Sequence, residues 1–295
     1  MIRDNSMEVI NSKIVGASYI GSPKPYTVMF ISKKVERLIE NLALVENCLV
    51  FAENGIFVPS KIQEKNFFVF SNEPQRDYAE YVWKFFERKV KRDSEREIKL
   101  TEKGYYVGEN VRIGENAYIE PGCLIGHDVI IGKNARILSG TIIKNSIIGD
   151  DFVANEYAVI GASGFTITKD RQGNNLRIPT LGNVAIGNCV EIGTHNNISC
   201  GSGGNTIIED YVKLDAFVHV GHDARLRRNA EITANVTVGG FVDMGENTYA
   251  GIGSVIRNRV CVGNKTIIGM GAIVTKSVAD NVTVIGNPAR VMMEE

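Results

Sequence analysis

The 295-residue chain is short of several things that would each announce a class of protein. It has no excess of charge, with 33 Lys and Arg against 34 Asp and Glu, so it lacks the basic footprint expected of a nucleic-acid binder. No apolar run approaches the roughly 20 residues that span a bilayer, and residues 1–13 lack the apolar block of a secretory leader. Its five cysteines, Cys48, Cys123, Cys189, Cys200 and Cys261, include no C-x-x-C pair. Neither a disulfide framework nor a zinc knuckle is therefore expected, and a reducing cytoplasm is the expected location. Histidine is scarce too: His127, His195, His219 and His222 are the whole supply, so each is weighed singly as a base for neutral pH.

What the chain does have is a period of six. From Ile208 through Leu214, Val220, Leu226, Ile232, Val238, Met244, Ala250, Ile256, Val262 and Ile268 to Val274, an aliphatic residue, Met or Ala recurs at every sixth position. The residue two before is small or β-branched, and the residue after is often Gly, as at Gly221, Gly239 and Gly251. Neither the 3.6-residue helix nor two-residue alternation produces that spacing. A parallel β-helix does, with one short strand and one turn per hexad and each anchor stacked on the next in a continuous core. Glycine after the anchor suits either a positive φ or a close approach of backbones.

The same period starts at Val107 and slips by one residue to Ile142. It then breaks over residues 162–185, which contain Gly164-Phe165 and Ile178-Pro179 and are expected to project as a functional loop. Residues 1–100 lack it. There, strands are expected at Thr27–Ser32, Cys48–Ala52 and Phe67–Phe70, with a helix near Lys33–Leu42. A second helix after Asn72 presents Tyr78, Tyr81, Val82, Phe85, Phe86 and Val90 on one face. The fold class expected is mainly β: a parallel β-helix over 101–278 with a small N-terminal α/β domain over 1–100, joined by the charged stretch Lys91–Lys103. The tail, 279–295, is expected to leave the coil.

The hexads resemble those of the left-handed β-helix acyltransferases over residues 107–290. The resemblance implies the left hand, three hexads per triangular coil, stacking of residues 18 apart, and a homotrimer with sites between subunits. Two closer resemblances divide the chain. The N-terminal domain, the loop, and Val212-Lys213-Leu214-Asp215 leading to Gly221-His222 resemble the UDP-3-O-acylglucosamine N-acyltransferases of lipid A synthesis. The ending, Gly271-Ala272-Ile273-Val274-Thr275-Lys276 and Gly286-Asn287-Pro288-Ala289-Arg290, resembles the acetyl-CoA-dependent N-acetyltransferases of nucleotide-linked amino sugars.

Acyl transfer to an amine needs a base for the proton on nitrogen and a donor for the oxyanion. Gly126-His127-Asp128 and Gly221-His222-Asp223 share one local motif. Eighteen residues beyond His222 lies Gly240, a backbone N–H unobstructed by a side chain; the same step from His127 reaches Asn145, across the slip. The resemblance agrees, implying His222 as base, Asp223 as its acidic neighbour and Gly240 as oxyanion donor. It implies substrate contacts at Phe30, Ser32, Phe165, Asp215 and His219, and acyl-donor contacts at Gly251, Gly253, Arg259, Gly271, Lys276 and Arg290. Two positions depart from the lipid A pattern: Arg259 stands where a second histidine is found, and Val35 where a tyrosine stacks on uracil.

The expected activity is an N-acyltransferase moving an acyl group from acyl-CoA to the amine of a nucleotide-linked amino sugar. No permanently bound cofactor, no metal, no nucleic acid and no membrane insertion are expected. The alternatives are the lipid A N-acyltransferase fed by acyl-carrier protein and a non-catalytic β-helix binding protein. A zinc carbonic anhydrase of the same coil is disfavoured, since His219 and His222 are separated by two residues rather than by four.

Overall fold

The computed structural model describes residues 13–292, so residues 1–12 of the expected N-terminal domain and 293–295 of the tail lie outside it. Contacts divide the chain into two compact units. The first takes in the chain up to Arg92 with Phe165–Gly182 and Ser202–Gly204; the second takes Asp93–Gly164, Asn183–Gly201 and the chain from Asn205 onward.

The first unit is built on a parallel sheet in sequential order, β1 (Gly16–Ala17), β2 (Thr27–Ile31), β3 (Leu49–Glu53) and β4 (Phe67–Ser71). The central strands are near-continuous apolar runs because both faces are covered. Met29, Ile31 and Val50 pack with Ile39 and Leu42 of a 3-10 helix, Lys33–Leu44, broken at Val35 by φ −127°. Val28, Leu49 and Phe51 pack with Tyr78, Ala79 and Val82 of α1 (Pro74–Ser94). Val90, expected on the buried face of α1, is exposed, because the covered part of the helix ends near Phe85.

The interrupting segment also belongs to this first unit. Its hairpin pairs Ile167–Lys169 with Asn175–Arg177, and Leu176, Ile178 and Leu181 join the core around Tyr78. The Trp83 indole N–H donates to the Arg177 carbonyl at 3.0 Å, and Arg171 pairs with Glu80 at 3.0 Å. The expected free projection is thus a packed excursion. It is also shorter than 162–185, since Val159–Ala162 and Asn183–Ile186 are strands of the coil.

The second unit is a parallel β-helix of three sheets, with 8, 10 and 10 strands. Pairing steps by one coil: His219 opposes Thr237, Thr237 opposes Val255, and Val255 opposes Ile273. The anchors from Ile208 to Val274, and the residues two before them, are all buried, most of them in one core. Most corners place the third residue after the anchor in the left-handed region, as at Asp223, Asn229, Asn235 and Asn247 (φ 55–59°), which suits Asn and Asp. Glycine directly after the anchor serves the other purpose, close approach: a Cβ on Gly239 would lie 2.6 Å from the Asn258 nitrogen of the next coil.

Three expectations shift. The anchor is Ile143, not Ile142, and the one-residue slip falls between Ile143 and Ile148, at the Asn145 corner (φ 46°). Adjacent isoleucines hid which one faced inward. Past Ala279 the chain still adds Thr283–Ile285 to a face, with Val284 buried, before Arg290–Val291 turns back against it, so the coil is left only after Ile285. At the other end, the expected link is helical to Ser94, and Lys99–Leu100 pairs with Tyr106–Val107.

Candidate active site

His222 sits on the corner that follows the strand His219–Val220. Because Val220 opposes Val238, the corner of the next coil brings Gly240 over it. A Cβ on Gly240 would lie 3.0 Å from His222 Nε2 and 3.1 Å from Cε1; one on Gly164 would lie 2.8 Å from His222 Cβ and 3.0 Å from Cγ. Both glycines are needed to accommodate the ring between them, and 14% of the side chain remains exposed. On the inner side, Asp223 Oδ2 lies 2.9 Å from Nδ1, its carboxylate 1% exposed. The Asp223 N–H donates to Thr206 Oγ1 at 2.9 Å, fixing the residue's left-handed backbone. A carboxylate there assigns the proton to Nδ1 and leaves Nε2 as the acceptor, turned toward Gly240.

The corner N–H two residues after an anchor is commonly taken by a side chain of the next coil. Lys133 N–H donates to Asp150 Oδ1 (2.7 Å), Glu246 to Asn264 (2.8 Å) and Asn264 to Asp280 (2.9 Å). Gly240 holds the same position, and among the described residues no protein acceptor takes its N–H. His127 is one of these caps: its Nδ1 accepts the Glu109 N–H at 2.9 Å. Asp128 is held by Arg96 at 2.6 and 3.0 Å and by Asn110 at 2.9 Å. The two Gly-His-Asp motifs therefore differ in what their carboxylates hold.

His219 lies one strand before the same corner, opposite Asn197 and Thr237. Though its surface is exposed, desolvation by the protein around the ring, and then the nearby His222, hold its imidazole below the ordinary His range. His195 is a rung in a ladder of rings, stacked 5.2 Å from Tyr157 and 5.2 Å from Phe217. Asp215 Oδ1 accepts the Ala216 N–H at 2.7 Å.

Phe30, Ser32 and Phe165 belong to the first unit. Phe30 packs on Tyr78, with ring centroids 5.1 Å apart, which is a core contact. Ser32 precedes the 3-10 helix without a side-chain cap bond. Phe165 is 75% exposed, with the Arg177 guanidinium 5.5 Å over its ring.

Of the residues expected to meet the acyl donor, Gly251 is a close-approach glycine, since a Cβ there would lie 2.7 Å from the Met270 nitrogen. Gly253 and Gly271 instead occupy equivalent corners with φ 67° and 63° and open space outside. Lys276 follows the strand Ile273–Val274. Arg290 opens the returning strand and donates to the Ala289 carbonyl. Arg259 lies two coils above the Asp223 corner, its guanidinium 4.3 Å over the Phe241 ring. Gly164, Thr206 and Phe241 escaped sequence reasoning as partners of the site. Phe241 carried a usable signal, the 18-residue step from Asp223; Gly164 and Thr206 approach across interruptions of the period. Among the described residues no three His, Cys, Asp or Glu cluster to hold a metal ion, and no helix is long and apolar enough to cross a membrane.

Residues 110–145 match the family model for the bacterial transferase hexapeptide (six repeats). The coil also superposes on UDP-N-acetylglucosamine acyltransferases from Francisella novicida and Campylobacter jejuni, at TM-scores of 0.57 and 0.59 and 25% identity. These alignments cover 62% and 66% of this chain and 65% and 74% of those. The coil is a left-handed β-helix of the hexapeptide-repeat kind. Curated relatives of this hexapeptide protein include a probable UDP-3-O-acylglucosamine N-acyltransferase 2, mitochondrial, of Arabidopsis thaliana, 33% identical over 145 residues, 49% of this chain and 48% of that one. The UDP-3-O-acylglucosamine N-acyltransferase 2 of Legionella pneumophila strain Paris is 39% identical over 101 residues, 34% of this chain and 29% of its own length. The chain thus spans about half, or less, of the length of these relatives.

Proposed function

We propose that this protein is an N-acyltransferase that acylates the amine of a UDP-linked 3-O-acylglucosamine from an acyl thioester. The observation that carries the proposal is the His222 corner: a buried Asp223 carboxylate 2.9 Å from Nδ1, with Gly240 beside Nε2. Of the two acceptor readings, UDP-3-O-acylglucosamine takes precedence over the acyl-CoA-dependent sugar acetyltransferase reading because the curated relatives carry that name. The thioester is carried by CoA or by acyl-carrier protein, and no permanently bound cofactor is invoked.

In the proposed reaction the sugar nitrogen forms a bond to the thioester carbonyl carbon, whose oxygen becomes an oxyanion facing the Gly240 N–H. His222 Nε2 takes the proton released by nitrogen, and Asp223 stabilises the resulting imidazolium. Collapse breaks the carbon–sulfur bond, and the thiolate leaves with the proton returned by His222. The products are an amide and a free thiol.

Above His222 on the same corner come Gly239 and Gly240, then Arg257 and Arg259, then Lys276. A thioester near the base with its phosphate arm along these cations suits a phosphopantetheine-type donor. Gly253 and Gly271, open on the neighbouring corner, are proposed contacts for the arm. His219 and Asp215 are assigned to the sugar, and Ser32 and Phe165 to its nucleotide, whereas Phe30 serves the core around Tyr78. A homotrimer, three times 32.4 kDa, is part of the reading and is checked by light scattering. The test of function is amide formation when UDP-3-O-acylglucosamine is incubated with acyl-CoA and, separately, with acyl-carrier protein. No product from either donor, or full activity in His222→Ala, would refute it.

A further inference from the structure

Phe241 occupies the corner directly above Asp223, at φ 60°, a conformation that costs a phenylalanine more than the Asn and Gly found at sister corners. Other aromatic residues at such corners have rings or cations of their own: Tyr157 and Phe217 flank His195, and Tyr211 carries Arg228 at 4.5 Å. Phe241 has such a cation in Arg259 and, in addition, meets the His222 ring. The rings meet edge to face, 5.2 Å apart at 87°, and the Phe241 N–H donates to the His222 carbonyl at 3.0 Å. The Arg259 guanidinium lies over the Phe241 ring, 4.3 Å from its centroid, and the Arg259 backbone N–H donates to the Gly240 carbonyl at 3.0 Å.

We infer that Phe241, held down by Arg259, is a positioning residue that fixes the tilt of the His222 imidazole. Asp223 determines which nitrogen carries the proton, but a hydrogen bond at Nδ1 does not by itself set the tilt of the ring. A perpendicular ring packed against the imidazole sets that tilt and keeps Nε2 aimed into the space that Gly240 leaves open. Backbone bonds from Phe241 to His222 and from Arg259 to Gly240 tie the same three corners together. Arg259 in this role braces Phe241 whether or not its remaining donors meet a ligand.

The catalytic consequence rests on the acyltransferase reading; the geometric claim does not. The test is therefore double. In Phe241→Leu, which keeps an apolar side chain but removes the ring, the His222 carbon-bound proton resonances should lose their ring-current shift in NMR spectra of the folded protein. Assignment is by comparison with His222→Ala. In N-acylation of UDP-3-O-acylglucosamine, the same variant should lose about tenfold in kcat with KM unchanged, and Phe241→Tyr should restore kcat to within about twofold. Unmoved His222 resonances in Phe241→Leu would overturn the inference, as would a change confined to KM. If His222→Ala keeps wild-type turnover, it is the base assignment that fails. If His222→Ala is inactive while Phe241→Leu is fully active, only the positioning role falls.

Discussion

Gly240→Ala is the sharpest perturbation of the proposed site, because it adds one methyl group where the geometry leaves room for a reacting nitrogen. The new Cβ would lie 3.0 Å from His222 Nε2, 3.1 Å from Cε1 and 3.2 Å from the His222 carbonyl oxygen. An amine passing its proton to Nε2 must come to about 2.7–3.2 Å, so methyl and amine compete for one place. A displacement of about 1 Å at a reacting centre is worth about 100-fold, or about 2.7 kcal/mol, and that is the loss of kcat expected in the N-acylation assay. Stability should hardly change. Gly240 is not in the left-handed region, and its contacts at 3.0–3.2 Å require only a few tenths of an ångström of adjustment. Gly239→Ala is the control: its Cβ would strike backbone atoms of the next coil at 2.6 and 2.9 Å, so it should cost about 1–3 kcal/mol of stability. A Gly240→Ala protein that melts like the parent and turns over within threefold of it would refute the reasoning.

Asp223→Asn keeps the shape but withdraws the charge beside Nδ1, and kcat should fall by about 100-fold or more at unchanged thermal stability. His127→Ala removes the acceptor of the Glu109 N–H; about 1 kcal/mol of stability should be lost by urea denaturation while turnover persists. Leu226 is fully buried in the coil core, so Leu226→Ala should cost about 2–5 kcal/mol in the same assay. His219 titrates below its ordinary range when folded, so in the affected window the unfolded chain binds the extra proton. Its contribution to stability is therefore complete above the unfolded His value of about 6.5 and declines as pH falls toward the folded value. His219→Gln should flatten the pH dependence of unfolding free energy between pH 7.5 and 5.5, and an unchanged slope would contradict this. Ile178→Asp should pull the excursion off α1 and red-shift the emission of Trp83, the only tryptophan.

The coil was legible because its core repeats one decision: each anchor from Ile208 to Val274 faces inward, and no long-range contact is needed to read it. Where the residues carry the same information twice, as at Ile142-Ile143, periodicity cannot say which one turns in, and the slip was misplaced by a hexad corner. The packing of Gly240 on His222 followed from a constant step between coils. Gly164 could not be found that way, because it reaches His222 across 58 residues interrupted by the excursion and by the Gly201–Gly204 insert. The excursion itself reads as polar and irregular, yet Leu176, Ile178 and Leu181 are enough to pack it into the first unit. His127 looked like a twin of His222 because a local motif does not record which carboxylate meets which cation; the Arg96–Asp128 pair does.

The corner at Asn145 has a consequence for how such a chain can change length. There a coil closes with 17 residues instead of 18, Ile131 opposing Ile148 where Ile125 opposes Ile143, and the missing residue is absorbed in one corner with the core anchors still aligned. Single deletions at corners are therefore tolerated, and whole turns can be gained or lost without disturbing what lies above or below. Loss of one hexad is different in kind. It would advance everything after it by one face, so that a histidine and a glycine once stacked on one edge would end up on different edges of the prism. Insertions between residues 222 and 240 are thus confined to excursions that leave and re-enter at the same corner.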